Sequence, residues 1–279
     1  MYKEINNKAI RKIDGFKNSD KLYLQSYFNK FKKFPMFSQV LIETRTDCNK
    51  RCSFCPQSFY NRKLAIMKWG IYKLIIDSLA EIGFAGRIAL LVSNEPLLEV
   101  RLLKMIKYAK KKSSRFFIDI TTNGTLLTLN FVDQLLSVGL DNLNINDYRS
   151  DRENAKERIS YHLVSILETY RSNPKITYNA RSTKEVLPNY AGVIPQIYSP
   201  VEFGFCNFPY RKLVFSVKGD VILCCNDFKQ ETNFGNIKTE SILSIWNSKE
   251  LNNIRVSLLN EIRIGLCSHC NDSQSYSVF

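Results

Sequence analysis

Segments with the periodicity of a strand and segments with the periodicity of a helix alternate along residues 37–179. The strand-like segments are 37–44, 87–92, 115–121, 141–145 and 175–179, and the helical ones are 69–82, 98–112, 129–138 and 152–171. Helices that connect successive strands favour a parallel sheet with right-handed crossovers. The sequence therefore predicts an α/β fold, with functional groups at the carboxyl ends of the strands.

The C-terminal third follows a different pattern. Residues 182–200 contain three prolines and have no clear period. Beyond them, the segments 213–217 and 221–225 flank a Gly-containing turn and predict a β-hairpin, and residues 241–258 predict a helix. We therefore divide the chain into an N-terminal extension (1–38), an α/β domain (39–200) and a small cysteine-rich domain of β-hairpin plus helix (201–279).

The composition favours a cytoplasmic protein. No apolar run is long enough to span a bilayer, and the polar N-terminal residues contain no apolar signal segment. In a reducing compartment, the eight cysteines favour metal or cluster ligation over disulfides. The net charge of +14 comes from scattered lysines, so we do not expect nucleic-acid binding, although an anionic small substrate would suit this charge.

Three cysteines follow the first predicted strand, in the run DCNKRCSFCP. The spacing of Cys48, Cys52 and Cys55 places three thiolates on one loop, where they can bind three irons of a cubane cluster. A zinc site would normally have four ligands, and an ordinary [4Fe–4S] site has four cysteines. The motif therefore predicts a cluster with one open iron, which can take a small-molecule ligand. An incomplete zinc or disulfide site is the alternative.

This loop resembles the cluster motif of the radical S-adenosylmethionine enzymes, including the aromatic Phe54 before the third cysteine. The resemblance implies a partial TIM-like (β/α) barrel of about five to six strands, with a short strand within 193–205 as the candidate sixth. It implies a [4Fe–4S] cluster on Cys48, Cys52 and Cys55 that binds S-adenosylmethionine. Reduction by a donor such as flavodoxin or ferredoxin would cleave this cofactor to a 5′-deoxyadenosyl radical, which removes a hydrogen atom from a substrate.

Polar residues at the following strand ends resemble the cofactor pocket of the same family. Ser93-Asn94-Glu95-Pro96 stands where the family has Gly-Gly-Glu-Pro, which implies that Glu95 binds the methionine ammonium. Arg181 resembles an arginine that pairs with the cofactor carboxylate. A loop carboxylate and a surface arginine are the alternatives for these two residues. The full set of candidate cofactor-binding residues is Phe54, Ser93, Asn94, Glu95, Thr122, Asn123, Asn144, Asn146 and Arg181.

A second set of cysteines resembles the auxiliary-cluster domain known as SPASM, or twitch in its shortened form. The resemblance implies one auxiliary [4Fe–4S] cluster, because no further cysteine follows the C-x2-C pair. Its implied ligands are Cys206, Cys224, Cys267 and Cys270. A zinc site with four thiolates is the alternative. Strand alternation points Cys225 away from Cys224, so Cys225 is interpreted as a spare core thiol, with a hydrogen-donor role as the alternative.

Two clusters in one small chain suggest a reaction in which the substrate radical must give up one further electron. A carbinol carbon would first lose a hydrogen atom. Loss of the hydroxyl proton and transfer of one electron to the auxiliary cluster would then give a ketone. The layout is similar to that of aminocyclitol dehydrogenation systems in aminoglycoside biosynthesis. The sequence therefore predicts oxidation or epimerisation of a small polar substrate, such as a sugar, an aminocyclitol or a nucleotide-linked sugar.

Three other functions are alternatives to this prediction. Maturation of a ribosomally synthesised peptide, by thioether formation or epimerisation, is disfavoured because residues 1–38 are too short and unpatterned for a leader-binding domain. A non-catalytic iron–sulfur or zinc protein would not cleave S-adenosylmethionine. An RNA-modifying enzyme would bind RNA in a salt-sensitive manner.

Overall fold

The structure is a computed structural model that describes residues 19–148, 161–180, 188–194 and 204–272. The strands are β1 (Gln39–Ile42), β2 (Arg87–Ala89), β3 (Phe117–Thr122), β4 (Asn142–Asp147), β5 (Ile176–Ala180), β6 (Lys212–Phe215) and β7 (Val221–Ile222). The helices are α1 (19–31), α2 (Trp69–Glu81), α3 (Leu102–Lys112), α4 (Leu129–Ser137), α5 (Tyr161–Thr169), α6 (Phe208–Arg211), α7 (Ile242–Trp246) and α8 (Lys249–Leu259). Single 3₁₀ turns occupy Pro56–Ser58, Pro96–Leu98 and Gly265–His269.

The strands form one sheet in the order β5-β4-β3-β2-β1-β6-β7. Strands β1 to β6 are parallel to their neighbours, and β7 pairs antiparallel with β6. The predicted α/β fold with a partial TIM-like barrel of five to six strands is therefore confirmed. The sixth parallel strand is β6, which the sequence assigned to the hairpin. The candidate sixth strand within 193–205 lies largely outside the described residues.

Helices cover the convex face of the sheet because strand and helix each carry one continuous apolar face. In α2, the residues Tyr72, Ile75, Ile76 and Leu79 are fully buried at helical spacing. They join strand residues such as Ile88 in a single hydrophobic core. Glycines at positive φ follow α2 and α4, as the sequence predicts for helix ends.

The concave face of the sheet is different in character. Leu41, Ala89, Val214 and Ile222 form a small separate apolar cluster there. Elsewhere the face is polar, and one example is Arg87, which contacts Asp119 at 2.5 Å. Polar residues also occupy the carboxyl ends of the strands. The fold thus places its buried polar groups at the open end of the barrel.

The helix predicted over 241–258 is two helices in the structure. Ser248 has a non-helical ψ of 149° and accepts a hydrogen bond from the amide of Leu251, which makes it the N-cap of α8. Ser241 caps α7 in the same way through the amide of Ser244. The prediction of one helix was wrong because serine favours a capping role over a helix interior.

Among the helices within the described ranges, none combines the length and the apolar character needed to cross a membrane.

Candidate active site

The loop of Cys48, Cys52 and Cys55 follows β1 at the open end of the barrel. Its three thiols are partly buried. Burial raises the pKa of Cys55 to about 11, and the neighbouring Cys52 and Cys48 thiols add to the rise. The loop is folded by hydrogen bonds to the Cys52 carbonyl, from the amide of Cys55 at 3.0 Å and the hydroxyl of Ser58 at 2.7 Å. The three thiols are thus carried by one hydrogen-bonded loop.

Glu95 connects the ends of β2 and β3. Its Oε1 accepts hydrogen bonds from the Thr122 hydroxyl at 2.6 Å and the Leu97 amide at 3.1 Å, and its Oε2 accepts one from the Asn123 amide at 2.9 Å. Burial raises the pKa of the Glu95 carboxyl, while these hydrogen bonds oppose the rise. Oε2 retains one acceptor position. The carboxylate is therefore fixed in orientation and can accept one further donor.

Asn123 brings the end of β3 to the cysteine loop. Its Nδ2 donates to Asn49 Oδ1 at 2.8 Å and lies 3.8 Å from Cys48 Sγ. The candidate residues Glu95, Thr122 and Asn123 and the first cysteine therefore form one connected network, although they come from three different loops.

Ser93 and Asn94 lie at the end of β2. Asn94 is buried and accepts a hydrogen bond from the amide of Val92 at 3.1 Å. The Ser93 hydroxyl oxygen is also buried, and within the described ranges it has no hydrogen-bond partner. Such a group loses its hydration without compensation, so an unpaired buried hydroxyl is expected where a ligand completes the site.

Amide side chains line the concave ends of β4 and β5. Asn179 Nδ2 donates to Asn144 Oδ1 at 2.6 Å and to Asn146 Oδ1 at 3.4 Å. Asn146 Nδ2 in turn donates to the Tyr148 hydroxyl at 3.2 Å. The ring of Tyr148 lies 5.2 Å from that of Phe54, measured between centroids, so the amides adjoin the cysteine loop. The remaining candidate, Arg181, lies outside the described residues.

The other four candidate ligands line one cavity. Cys206, Cys224, Cys267 and Cys270 all border it, together with Asn226 and Arg263. Burial raises the pKa of the Cys267 thiol to about 11 and raises the pKa of Cys206 and Cys224 as well. Arg263 joins the loops around the cavity by donating to the carbonyls of Gly204, Cys270 and Asp272.

Thiols spread around a cavity suit a multi-iron cluster, in which each cysteine binds a different iron. Within the described ranges, no three Cys, His, Asp or Glu side chains are grouped closely enough to hold a single metal ion. Cys225 is not among the residues of the cavity; it packs against Leu41, Ala89, Val214 and Ile222 on the concave face of the sheet.

The structure also shows supporting residues that the sequence analysis did not single out. Gln57 donates to the carbonyls of Thr46 and Ser93, both at 2.8 Å, and so holds the cysteine loop against β2. The fully buried Glu43 forms a two-point ion pair with Arg62 at 2.6 and 2.9 Å. No spacing rule marks these residues, because their partners are distant in sequence.

Comparisons with known proteins place this geometry in a class. The profile described as the radical SAM superfamily matches residues 42–162. The profile of SPASM, described as an iron–sulfur cluster-binding domain, matches residues 206–271. The chain therefore belongs to the radical S-adenosylmethionine enzymes that carry a SPASM domain. Its cofactors are S-adenosylmethionine, the [4Fe–4S] cluster that binds it, and an auxiliary [4Fe–4S] cluster.

Particular relatives extend the comparison over most of the chain. The S-adenosyl-L-methionine-dependent 2-deoxy-scyllo-inosamine dehydrogenase of Niallia circulans is 28% identical over 242 residues, which is 85% of this chain and 94% of that protein. The crystal structure of BtrN in complex with AdoMet and 2-DOIA has a TM-score of 0.73 at 24% identity, covering 87% of this chain and 99% of that one.

Native anSMEcpe with bound AdoMet is a more distant structural relative. It has a TM-score of 0.54 at 13% identity, covering 79% of this chain and 84% of that one. At these identities the two solved structures show a shared fold.

Proposed function

We propose that this enzyme is a radical S-adenosylmethionine dehydrogenase that oxidises a carbinol of a small, polyhydroxylated or amino-substituted ring. The observation that carries the proposal is the similarity to a 2-deoxy-scyllo-inosamine dehydrogenase over 85% of this chain and 94% of that protein. One cavity with four cysteines, beside a barrel mouth lined with amides, supports it.

The proposal assigns the cofactors to particular residues. Cys48, Cys52 and Cys55 hold the cluster that binds S-adenosylmethionine, and Cys206, Cys224, Cys267 and Cys270 hold the auxiliary cluster. When bound, these groups supply the capacity to remove one hydrogen atom from the substrate and to accept one electron from it. The division at residues 38 and 200 remains a prediction.

The pocket side chains bind and orient the cofactor. Glu95 has one acceptor position left at Oε2, which suits one N–H of the methionine ammonium. The unpaired Ser93 hydroxyl supplies a further hydrogen bond in the same region. Asn94, Thr122 and Asn123 hold these groups in place. We assign Phe54, Asn144, Asn146 and Arg181 to the other cofactor contacts, as the sequence predicts.

Among the described residues, amide side chains occupy the ends of β4 and β5 at the barrel mouth. Asn179, which donates to the cofactor-side amides of Asn144 and Asn146, carries a group that both donates and accepts hydrogen bonds, so it matches the hydroxyl and amine groups of the substrate. Oxidation of a carbinol to a ketone removes two electrons and two protons from the substrate. Of these, one electron and one proton leave together as the hydrogen atom, and the hydroxyl proton and the second electron leave separately. An external donor such as flavodoxin or ferredoxin is proposed to reduce the first cluster.

The test is a turnover assay under anaerobic conditions. The reconstituted, reduced protein is given S-adenosylmethionine and 2-deoxy-scyllo-inosamine, and 5′-deoxyadenosine and the ketone are quantified. Near-equal amounts of both are expected, with neither formed by the Cys52→Ala variant. If a peptide pool, but no sugar or aminocyclitol, stimulates 5′-deoxyadenosine formation, peptide maturation replaces this proposal. Epimerised product without ketone would replace dehydrogenation with epimerisation.

A further inference from the structure

The turn of residues 189–192 lies between the two cysteine sites. Tyr190, Ala191 and Gly192 have φ values of 48°, 53° and 87°, so three consecutive residues adopt the left-handed region. Only glycine enters this region without steric cost, and runs of such residues are rare. Backbone strain of this kind is retained where the surrounding structure enforces it, commonly at functional sites.

Asn189 enforces this conformation by attaching the turn to the C-terminal cysteine loop. Its amide donates to Asn271 Oδ1 at 2.7 Å, and its Oδ1 accepts from the Asn271 amide at 3.2 Å. Its Nδ2 donates to the His269 carbonyl at 2.9 Å. The carbonyl of Asn189 also accepts from the amides of Gly192 and Ile194, which closes the turn.

The turn contacts both halves of the site. Ala191 lines the cavity that the four auxiliary cysteines surround. The neighbouring Tyr190 has groups of both parts of the chain within electrostatic range, Cys55 and Tyr148 of the barrel and Cys225 and Asp272 of the C-terminal segment. Tyr190 therefore occupies the space between the cysteine loop of the barrel and the auxiliary cavity. A substrate that delivers a hydrogen atom to one side and an electron to the other must lie in this space.

The Tyr190 hydroxyl is available to a ligand. Tyr190 is half-buried, and a tyrosine hydroxyl keeps its proton at neutral pH, so it can donate a hydrogen bond. Among the described residues it forms no hydrogen bond of its own. The neighbouring Tyr148 hydroxyl, in contrast, accepts from Asn146.

We propose that Tyr190 is a substrate-binding residue whose hydroxyl donates a hydrogen bond to the substrate between the two cysteine sites, and that Asn189 is the positioning residue that fixes it there. This inference rests on the proposed dehydrogenase function. It adds a substrate contact from the turn of residues 189–192 to the one proposed for Asn179 of β5. The substrate is thereby held from two sides of the barrel mouth.

The test uses Tyr190→Phe in the fully reconstituted enzyme, with 2-deoxy-scyllo-inosamine as the probe. Loss of one hydrogen bond is expected to raise the Kd of the probe about tenfold, which corresponds to about 1.4 kcal/mol. Calorimetry on the unreduced enzyme with S-adenosylmethionine present measures this Kd without turnover. KM should rise by the same factor, while kcat, iron content and the Kd of S-adenosylmethionine stay unchanged. Tyr161→Phe is the matched control, since Tyr161 is 95% exposed.

The second variant, Asn189→Ala, tests the positioning role. It should raise KM for the probe about as much as Tyr190→Phe does, without loss of iron. A loss of iron would show that Asn189 serves the cluster loop instead, and would overturn its positioning role.

The remaining outcomes separate the inference from the function on which it rests. If the wild-type enzyme oxidises the probe and Tyr190→Phe binds it equally well, the inference alone is wrong. If neither the probe nor any other sugar or aminocyclitol stimulates 5′-deoxyadenosine formation by the wild-type enzyme, the proposed function is overturned and the inference with it.

Discussion

At the scale of single residues, Ser93 and Glu95 differ in how their polar atoms are prepared for the cofactor that we propose they bind. Glu95 accepts three hydrogen bonds from the protein, so its orientation is fixed before any ligand binds. Ser93 has a buried hydroxyl with no partner in the described ranges. An unpaired buried hydroxyl costs about 1–3 kcal/mol, and a ligand that pairs with it recovers part of this cost.

Ser93→Ala should therefore separate stability from cofactor binding. We expect the free energy of unfolding of the ligand-free protein to stay the same or to rise by up to about 1 kcal/mol, because no hydrogen bond is lost. The Kd of S-adenosylmethionine should rise several-fold. Urea unfolding and equilibrium dialysis measure the two effects.

Ser216→Ala is the matched control for this experiment. The Ser216 hydroxyl accepts hydrogen bonds from the amides of Lys218 and Asp220, both at 3.2 Å. Its removal should lower the free energy of unfolding by about 1 kcal/mol or more and leave the cofactor Kd unchanged. A stability loss in Ser93→Ala as large as that of the control would contradict the role given to Ser93.

At the scale of elements, the break between α7 and α8 depends on Ser248. The Ser248 hydroxyl accepts a hydrogen bond from the Leu251 amide. This amide belongs to the first turn of α8, where backbone amides have no acceptor within the helix. Trp246, just before the break, is fully buried, and the Arg255 guanidinium of α8 lies 3.8 Å from its ring. The cap therefore marks the start of α8, whose Arg255 packs against the tryptophan.

Ser248→Ala should destabilise the protein by about 1 kcal/mol, within a range of roughly 0.5–2 kcal/mol for lost N-caps. Urea unfolding of the metal-free protein is the measurement. The exposed Ser244 of α7 provides the control, because Ser244→Ala removes a hydroxyl without removing a cap and should change stability by less than about 0.5 kcal/mol. Equal effects for the two variants would show that α8 does not depend on this cap.

At the scale of the whole molecule, the auxiliary cavity is assembled from distant segments. Cys206 precedes α6, Cys224 follows β7, and Cys267 and Cys270 lie in and beside the last 3₁₀ turn. Since β6 and β7 belong to the barrel sheet, the cavity is attached directly to the barrel.

Replacing each of the adjacent cysteines, Cys224 and Cys225, by serine tests this arrangement. Cys224→Ser should remove the auxiliary cluster and about half of the iron and acid-labile sulfide. Cys225→Ser should retain both, because Cys225 does not border the cavity. Iron and sulfide analysis with electron paramagnetic resonance of the reduced proteins distinguishes them. Equal iron loss from both variants would make Cys225 a ligand or an essential support.

The buried thiols also predict a pH dependence of stability in the metal-free protein. Burial raises the pKa of Cys55 and Cys267 to about 11, whereas a free thiol has a pKa of about 8.5. Above pH 8.5 the unfolded chain releases protons that the folded chain retains, so the free energy of unfolding falls as pH rises toward 11. This contribution to stability is fully present below pH 8.5.

Urea unfolding between pH 8 and 10.5 measures the decline. In Cys267→Ser the decline should be smaller by about 2 kcal/mol, since serine does not titrate in this range. Cys225→Ser is not a useful control because burial raises its pKa as well, so Ser244→Ala serves instead. A decline in Cys267→Ser equal to that of the wild type would show that Cys267 titrates normally in the fold.

The order of strands and helices could be predicted from sequence because local periodicity and glycine stops determine it. The observed β1 to β5 each overlap the predicted segment, and α2 and α4 end within one residue of the prediction. The break at Ser248 was missed because capping competes with helix continuation over only a few residues. The parallel pairing of β6 was missed because it depends on β1, which is remote in sequence.

By itself, the sequence determined the α/β fold through local periodicity and the first cysteine set through its C-x3-C-x2-C spacing. The resemblance of the two cysteine sets to known motifs indicated the kind of cofactor. Only the tertiary structure decided that Glu95 is held by Thr122 and Asn123, that Ser93 is left unpaired and that Tyr190 lies between the two sites. These contacts join loops that are far apart along the chain. They form only when the parallel strands bring their carboxyl ends to one edge of the sheet, and no local pattern records that convergence.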